Sequence, residues 1–337
     1  MGDAGVATSP DANAVYWNPA KLAFIENEVG FALSYTPWLG KIINDMSIAY
    51  LSGYYKFSKE QAVAVSMKYF DLGEIFFTDD QGRPTGDFNP REVAIDATYS
   101  RMLSQKLGVG ITGRYIHSNL TGNFTSANAA NGADARPGSS VAADIAVFYN
   151  KDLFLGGANS NLALGAVISN IGAKITYSDE NNRDFIPTNL RLGSALTTDL
   201  DPYNKITFAL DFNKLLVPSP QIDGSDQDES LLGGIFGSFT DAEDGFSEEM
   251  QEVTVSAGAE YWYNNTFAAR VGYFYESEEK GNRKYLTMGL GFRYQVFGID
   301  FAYLVPQEQE HPLAETLRFT LLFNFEKKNQ DIESVTD

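Results

Sequence analysis

Long stretches of the chain alternate apolar and polar or small residues with a period of two. Val29, Phe31, Leu33 and Tyr35 alternate with Gly30, Ala32, Ser34 and Thr36. Val93, Ile95, Ala97 and Tyr99 alternate with Ala94, Asp96, Thr98 and Ser100. Leu317, Phe319, Leu321, Phe323 and Phe325 alternate with Arg318, Thr320, Leu322 and Asn324. Successive side chains of a strand point to opposite faces, so this rhythm predicts strands with one apolar face. About fourteen segments carry it: 28–36, 44–57, 60–71, 90–103, 106–118, 139–150, 160–175, 188–198, 203–213, 250–262, 266–276, 284–295, 298–305 and 314–325. Most are long enough to cross a bilayer as tilted strands.

The connections sort by length. Ser58-Lys59, Ser104-Gln105, Asp199–Pro202, Asn264-Asn265 and Val296-Phe297 are short and follow even-numbered segments, with a somewhat longer link at Lys151–Asn159. The longer connections 72–89, 119–138, 176–187, 214–249, 277–283 and 306–313 follow odd-numbered segments. Outer-membrane barrels have short periplasmic turns and long extracellular loops, whereas a soluble sandwich has no reason to sort loops by parity. The prediction is an all-β fold, a 14-stranded antiparallel transmembrane β-barrel with both ends periplasmic. Residues 1–27 lack the rhythm and are small, polar and turn-rich. Within them Asn18 can cap a short helix with Pro19 and Ala20 in its first turn. The expected division is a hatch at 1–27 inside the lumen, a barrel at 28–325 with its longest loop at 214–249, and a periplasmic tail at 326–337.

The inward set sharpens this picture. It holds Asp96, Arg114, Asp144, Arg191, Asp211, Glu260, Arg270, Arg293, Asp300 and Arg318. Acids and arginines balance, which predicts pairing across the lumen or with a plug, because unpaired buried charge is costly. The same face carries Gly108, Gly110, Gly165, Gly193, Gly258, Gly272, Gly289 and Gly291. Glycine in a strand marks close approach of another backbone, and the simplest occupant is the hatch; the alternative is that these glycines only relieve barrel curvature.

Composition removes several functions. No apolar run is long enough for a membrane helix. The 18 Tyr and 24 Phe suit interfacial girdles. Cysteine is absent, which excludes thiol catalysis and disulfides. A net charge of −19 argues against nucleic acid as a partner. Much of the acid falls in 223–252 and 331–337, read as solvated loop and tail. Met1 is followed at once by Gly-Asp-Ala-Gly, so the chain reads as mature or trimmed.

The opening block then becomes specific. Gly2-Asp3-Ala4-Gly5-Val6-Ala7, followed by Asp11-Ala12-Asn13-Ala14-Val15-Tyr16-Trp17-Asn18-Pro19-Ala20-Lys21-Leu22, resembles the hatch of FadL-like outer-membrane barrels. That block, Tyr35-Thr36-Pro37-Trp38-Leu39 and Asp45-Met46-Ser47-Ile48-Ala49-Tyr50 most resemble the PorV (LptO) family of the Bacteroidota type IX secretion system. The resemblance implies a non-enzymatic barrel without cofactors. It implies association with the SprA (Sov) translocon barrel, binding of secreted cargo by its C-terminal signal domain, and transfer to the attachment complex with PorU, PorQ and PorZ. Membrane lipids and lipopolysaccharide would surround it.

Candidate contacts follow. Trp38, beside Pro37 in the first outward loop, is either an interfacial anchor or an aromatic contact to a partner. In loop 214–249 an apolar stretch includes Leu232, Ile235, Phe236 and Phe239, suited to packing over the barrel mouth or to docking. Asp223, Asp226, Asp228 and Glu229 lack calcium-loop spacing, so no metal is expected. His117 and His311 belong to no nucleophile motif, so no catalytic residues are assigned. The alternative is a FadL-type transporter of hydrophobic small molecules. It requires an apolar tunnel from the loops to a gap in the wall, whereas a cargo carrier requires a plugged lumen and an apolar patch on the loops.

Overall fold

A computed structural model describes residues 1–40, 43, 45–120, 136–177, 183–219, 229–242, 245–307 and 316–325. Fourteen strands form one closed antiparallel barrel: β1 (Val29–Pro37), β2 (Ser47–Lys56), β3 (Gln61–Asp71), β6 (Arg91–Met102), β7 (Leu107–Asn119), β8 (Gly138–Leu155), β9 (Ala158–Gly172), β10 (Asn189–Asp199), β11 (Asn204–Leu215), β12 (Thr254–Tyr263), β13 (Phe267–Tyr275), β14 (Lys284–Tyr294), β15 (Phe297–Pro306) and β16 (Leu317–Phe325). β4 (Ile75–Thr78) and β5 (Pro84–Phe88) form a separate hairpin. No helix among the described residues is long and apolar enough to span a membrane. The crossing elements are strands, whose backbone groups pair with neighbours all the way round, as a bilayer demands.

Closure runs from Val29 opposite Phe325 to Tyr35 opposite Phe319. This register puts Phe31, Leu33, Phe319 and Leu321 on one outward face, where each is more than a third exposed. Ala32 and Leu322 point inward and are fully buried. A one-residue slip would turn every apolar side chain into the lumen, so the alternation itself holds the register.

The departures from expectation lie at strand ends. The link at Lys151–Asn159 is not a loop. β8 and β9 extend through it to a tight turn at Gly156 and Gly157, both with positive φ, which glycine adopts without strain. The segment 250–262 begins as strand only at Thr254, because Met250 and Gln251 close a short helix. The loop 72–89 carries the β4–β5 hairpin. One irregularity interrupts the wall, a register shift between Ala143 and Ile145 in the β8–β9 pair. The expected tail at 326–337 lies outside the described residues.

Helix α1 (Ala14–Trp17) and a 3-10 segment, Pro19–Phe24, lie inside the barrel. Val6, Ala12, Ala14, Ala20, Leu22 and Ala23 are fully buried. Fully burying a side chain the size of Val6 or Leu22 contributes about 1.5–3 kcal/mol. Val6 and Ala20 join a cluster with the wall around Phe148 and Val167, and Ala12, Ala14 and Leu22 join another around Tyr54 and Leu322.

Candidate functional site

The N-terminal segment is seated by its own backbone. Gly5 N–H and Val6 N–H both donate to Asp211 Oδ2, at 2.6 and 2.9 Å. Asn18 caps the 3-10 segment by accepting from Ala20 N–H at 3.0 Å. Its amide donates to Val6 O and to Val147 O on the wall, each at 3.1 Å. Asn18, Pro19 and Ala20 are all buried. Ala23 N–H donates to Ser100 Oγ at 3.1 Å, and Ser52 Oγ donates to Ala12 O at 2.7 Å.

Inward glycines make room for this chain. A Cβ on Gly110 would stand 2.5 Å from Ala20 N and 2.7 Å from the Pro19 carbonyl carbon. On Gly165 it would meet the Asn18 amide and Val6. Gly108, Gly193, Gly258 and Gly272 likewise face the hatch. Gly289 and Gly291 do not. They face Arg270, and Gly291 also Asp300, so they clear space for a charged cluster instead of the hatch.

The inward charges form two separate clusters. Arg114 bridges Asp96 at 2.7 Å and Asp144 at 3.0 Å, and it also contacts Asn170. Arg270 bridges Glu260 at 2.6 Å and Asp300 at 2.8 Å, and Arg293 joins Asp300 at 2.7 Å. Arg318 reaches the hatch itself, pairing with Asp3 at 2.9 Å. Asp211 spends one oxygen on the Gly5 and Val6 amides. Arg191 departs from the expected pairing. It makes no ion pair among the described residues, and its guanidinium lies 5.6 Å from the Tyr16 ring centroid and 5.9 Å from that of Trp17.

Sequence reasoning missed Lys21. It is 1% exposed and its ammonium donates to Gly5 O at 2.8 Å and Thr8 Oγ1 at 3.2 Å. Burial brings it down to about 8, against the attraction of Asp11 and Asp211. Its place in the Asn18–Leu22 block was the only signal available.

The hatch divides the lumen. Below it a cavity of about 870 Å³ opens at the short-turn rim, lined by Asp11, Glu26, Asp152, Asp199, Glu260 and Lys205 among others. Above it a cavity of about 560 Å³ lies at the long-loop rim, lined by Glu248, Glu252, Glu276, Lys280 and Arg283 among others. Both walls are rich in charge, unlike an apolar ligand site. β3 pairs without interruption with β2 and with β6.

The long loop after β11 carries α2 (Leu231–Gly237) and α3 (Phe246–Gln251). Ser230 caps α2 by accepting from Gly233 N–H at 3.1 Å. Lys214 donates to Glu249 at 2.8 Å and Glu252 at 2.5 Å, and Lys280 to Glu248 at 2.5 Å. Burial opposes the charge on Glu249, but the Lys214 hydrogen bond and the Ala242 N–H hold its carboxyl below the usual value. Leu232, Phe236 and Phe239 are exposed, Phe236 at 72%, and Phe246 of α3 is 79% exposed. Ile235 is not an outward contact as expected. It is 7% exposed, because the residue after Gly234 turns into the loop's interior, where Gly234 packs on Phe185 and Pro218. Trp38 is half-buried, and its backbone N–H donates to Met46 O at 2.9 Å. His117 stands at the outer end of β7 beside Ser139, at 3.0 Å. His311, Asp223, Asp226 and Asp228 lie outside the described residues.

Comparison with known proteins supplies the remaining context. The family model of the type IX secretion system protein PorV matches residues 1–222. No curated protein matches. Among solved structures, the toluene transporter TbuX of Ralstonia pickettii superposes with a TM-score of 0.51 at 13% identity, covering 96% of each chain. The toluene transporter TodX of Pseudomonas putida gives 0.51 at 13% identity, covering 96% of this chain and 97% of its own. At such identity the likeness concerns the fold.

Proposed function

The chain belongs to the PorV family of the type IX secretion system, an integral outer-membrane component of that system, and from this membership we propose that it carries cargo by recognition rather than by chemistry. In this reading the extracellular loops hold the C-terminal signal domain of a secreted protein as it leaves the SprA (Sov) translocon. The barrel then passes it to the attachment complex with PorU, PorQ and PorZ. The hatch keeps the lumen closed meanwhile.

The observation that carries the reading is the loop after β11. It is pinned to the rim by Lys214 and Lys280, yet it turns Leu232, Phe236 and Phe246 toward solvent. Apolar side chains held outward on an anchored segment suit protein docking, and aromatic anchors dominate such contacts. A photocrosslinker placed at Phe236 in the native membrane tests this. Capture of secreted proteins sharing a C-terminal domain is expected. Capture of lipids or fatty acids alone would overturn the proposal.

A further inference from the structure

The inward arginines at 114, 270, 293 and 318 each bind a carboxylate. Arg191 binds none among the described residues, and its Nε is buried without a hydrogen-bond partner there. A buried N–H left unpaired keeps its full desolvation penalty. Lys68 is a further inward cation without a carboxylate partner among the described residues. It is inward-facing on β3, exposed, and makes no ion pair among the described residues. Its ammonium lies 5.3 Å from the centroid of the Tyr16 ring, the same ring that Arg191 approaches at 5.6 Å. The two charges are therefore no farther apart than the sum of those distances. Asp211, diagonal to Arg191 across the β10–β11 ladder, is outside ion-pair distance, and its Oδ2 is taken by the hatch amides.

The three residues lie on the outer side of the hatch. Lys68 is close to the long-loop end of β3, and Arg191 is close to the long-loop end of β10. Tyr16 is 41% exposed, although the hatch residues around it are buried. Two cations approach one phenol ring, and neither is neutralised by an ion pair among the described residues, so an anion placed between them would be attracted by both.

We propose that Lys68, Arg191 and the Tyr16 hydroxyl form a binding site for an oxyanion, a carboxylate or a phosphate, on the outer face of the hatch. The ligand enters from the extracellular mouth and needs no opening of the hatch. Arg191 presents the guanidinium fork that matches an oxyanion, and Lys68 adds a movable point charge. The inference does not depend on the cargo reading.

Trp17 reports occupancy, because its ring is 4.9 Å from Tyr16 and 5.9 Å from the Arg191 guanidinium. The full chain in a neutral detergent would be titrated with inorganic phosphate, with a short peptide bearing a free C-terminal carboxylate, with its amide, and with dihexanoyl phosphatidic acid. The expected result is a saturable change in tryptophan fluorescence that weakens with added salt. It should disappear in Trp17→Phe. Arg191→Met and Lys68→Met should each weaken binding at least tenfold, with native barrel mobility on unheated gels as the check on folding. Saturation by the acidic peptide but not the amide assigns a peptide carboxylate, and saturation by the phosphatidic acid assigns a lipid phosphate. Absence of a saturable response, or an equal response in Arg191→Met that retains native mobility, would overturn the site.

Discussion

The hatch and the loop after β11 are fastened by similar means and face opposite ways. Each is a pair of short helical segments tied to the wall by a few polar contacts. The hatch uses Asp211, Asn18 and Lys21, and the loop uses Lys214, Lys280 and their glutamates. The hatch then buries Val6, Val15 and Leu22, whereas the loop exposes Leu232, Phe236 and Phe246. The fasteners therefore do not determine the role. What differs is where the apolar side chains go. Turned inward they seal, and turned outward they are available to a partner.

The comparison breaks most sharply at Gly110. Gly110→Val puts a side chain into the Pro19–Ala20 backbone, which cannot move aside as a side chain would. Overpacking of this kind destabilises by about 1–3 kcal/mol, occasionally more. The barrel should still close, because Gly110 contributes only a side-chain vacancy to the ladder. Single-channel recording in a planar bilayer should show frequent openings in the variant against a closed wild type. A variant that stays closed would mean that the seal lies elsewhere than the hatch.

Asn18→Ala comes next. It strips partners from Ala20 N–H, Val6 O and Val147 O at once. Unsatisfied buried groups are destabilising by about 1–3 kcal/mol each. Hydrogen exchange over the hatch should speed up about tenfold or more, while exchange in the loop after β11 stays unchanged.

Phe236→Ala should do the reverse. The ring is 72% exposed, so the thermal midpoint should hold, as for most surface changes, whose effect is within about 0.5 kcal/mol. Affinity for a C-terminal signal domain should fall by about 1–2 kcal/mol if the ring is an anchor. Calorimetry of binding and of unfolding separates the two. Loss of stability without loss of binding would place Phe236 with the hatch residues.

The smallest effect is a difference in pH response. Lys21 titrates at about 8 in the folded hatch, below its ordinary value of 10.5. Its buried charge therefore weakens the hatch below about 8, and hatch stability should rise as pH goes from there toward 10.5. Glu249 is shifted down from 4.5. Its contribution to the loop is present in full above that value and should fade as pH drops through the lowered one. Hydrogen exchange followed from pH 3 to pH 10 should show the loop loosening at the acid end and the hatch tightening at the alkaline end.

The barrel was legible in the sequence because period-two alternation is a local property. A strand such as Leu317–Phe325 states its lipid face in its own residues, and loop parity states which rim is outward. The inward set was legible for the same reason, and so were Asn18 and Pro19, whose capping role needs only their neighbours. Strand ends were less so. Gly156 and Gly157 permit a tight turn, but their neighbours do not dictate how far the flanking strands run, and nothing local marks Met250 and Gln251 as the end of a helix.

Partnership is another matter. Asp3 meets Arg318 across 315 residues of sequence, and Gly5 meets Asp211 across 206. Local spacing cannot tell which inward arginine finds a carboxylate and which, like Arg191, is left beside an aromatic ring. It also cannot tell that Lys21 is buried or that Ile235 points inward while Phe236 points out. The chain by itself determined that a barrel forms and which face of each strand meets lipid, since each choice rests on side chains adjacent in sequence. Only the closed tertiary structure decided how the lumen is filled, how its charges are matched and which side chains remain free for partners, because those depend on groups that become neighbours after the ring has closed.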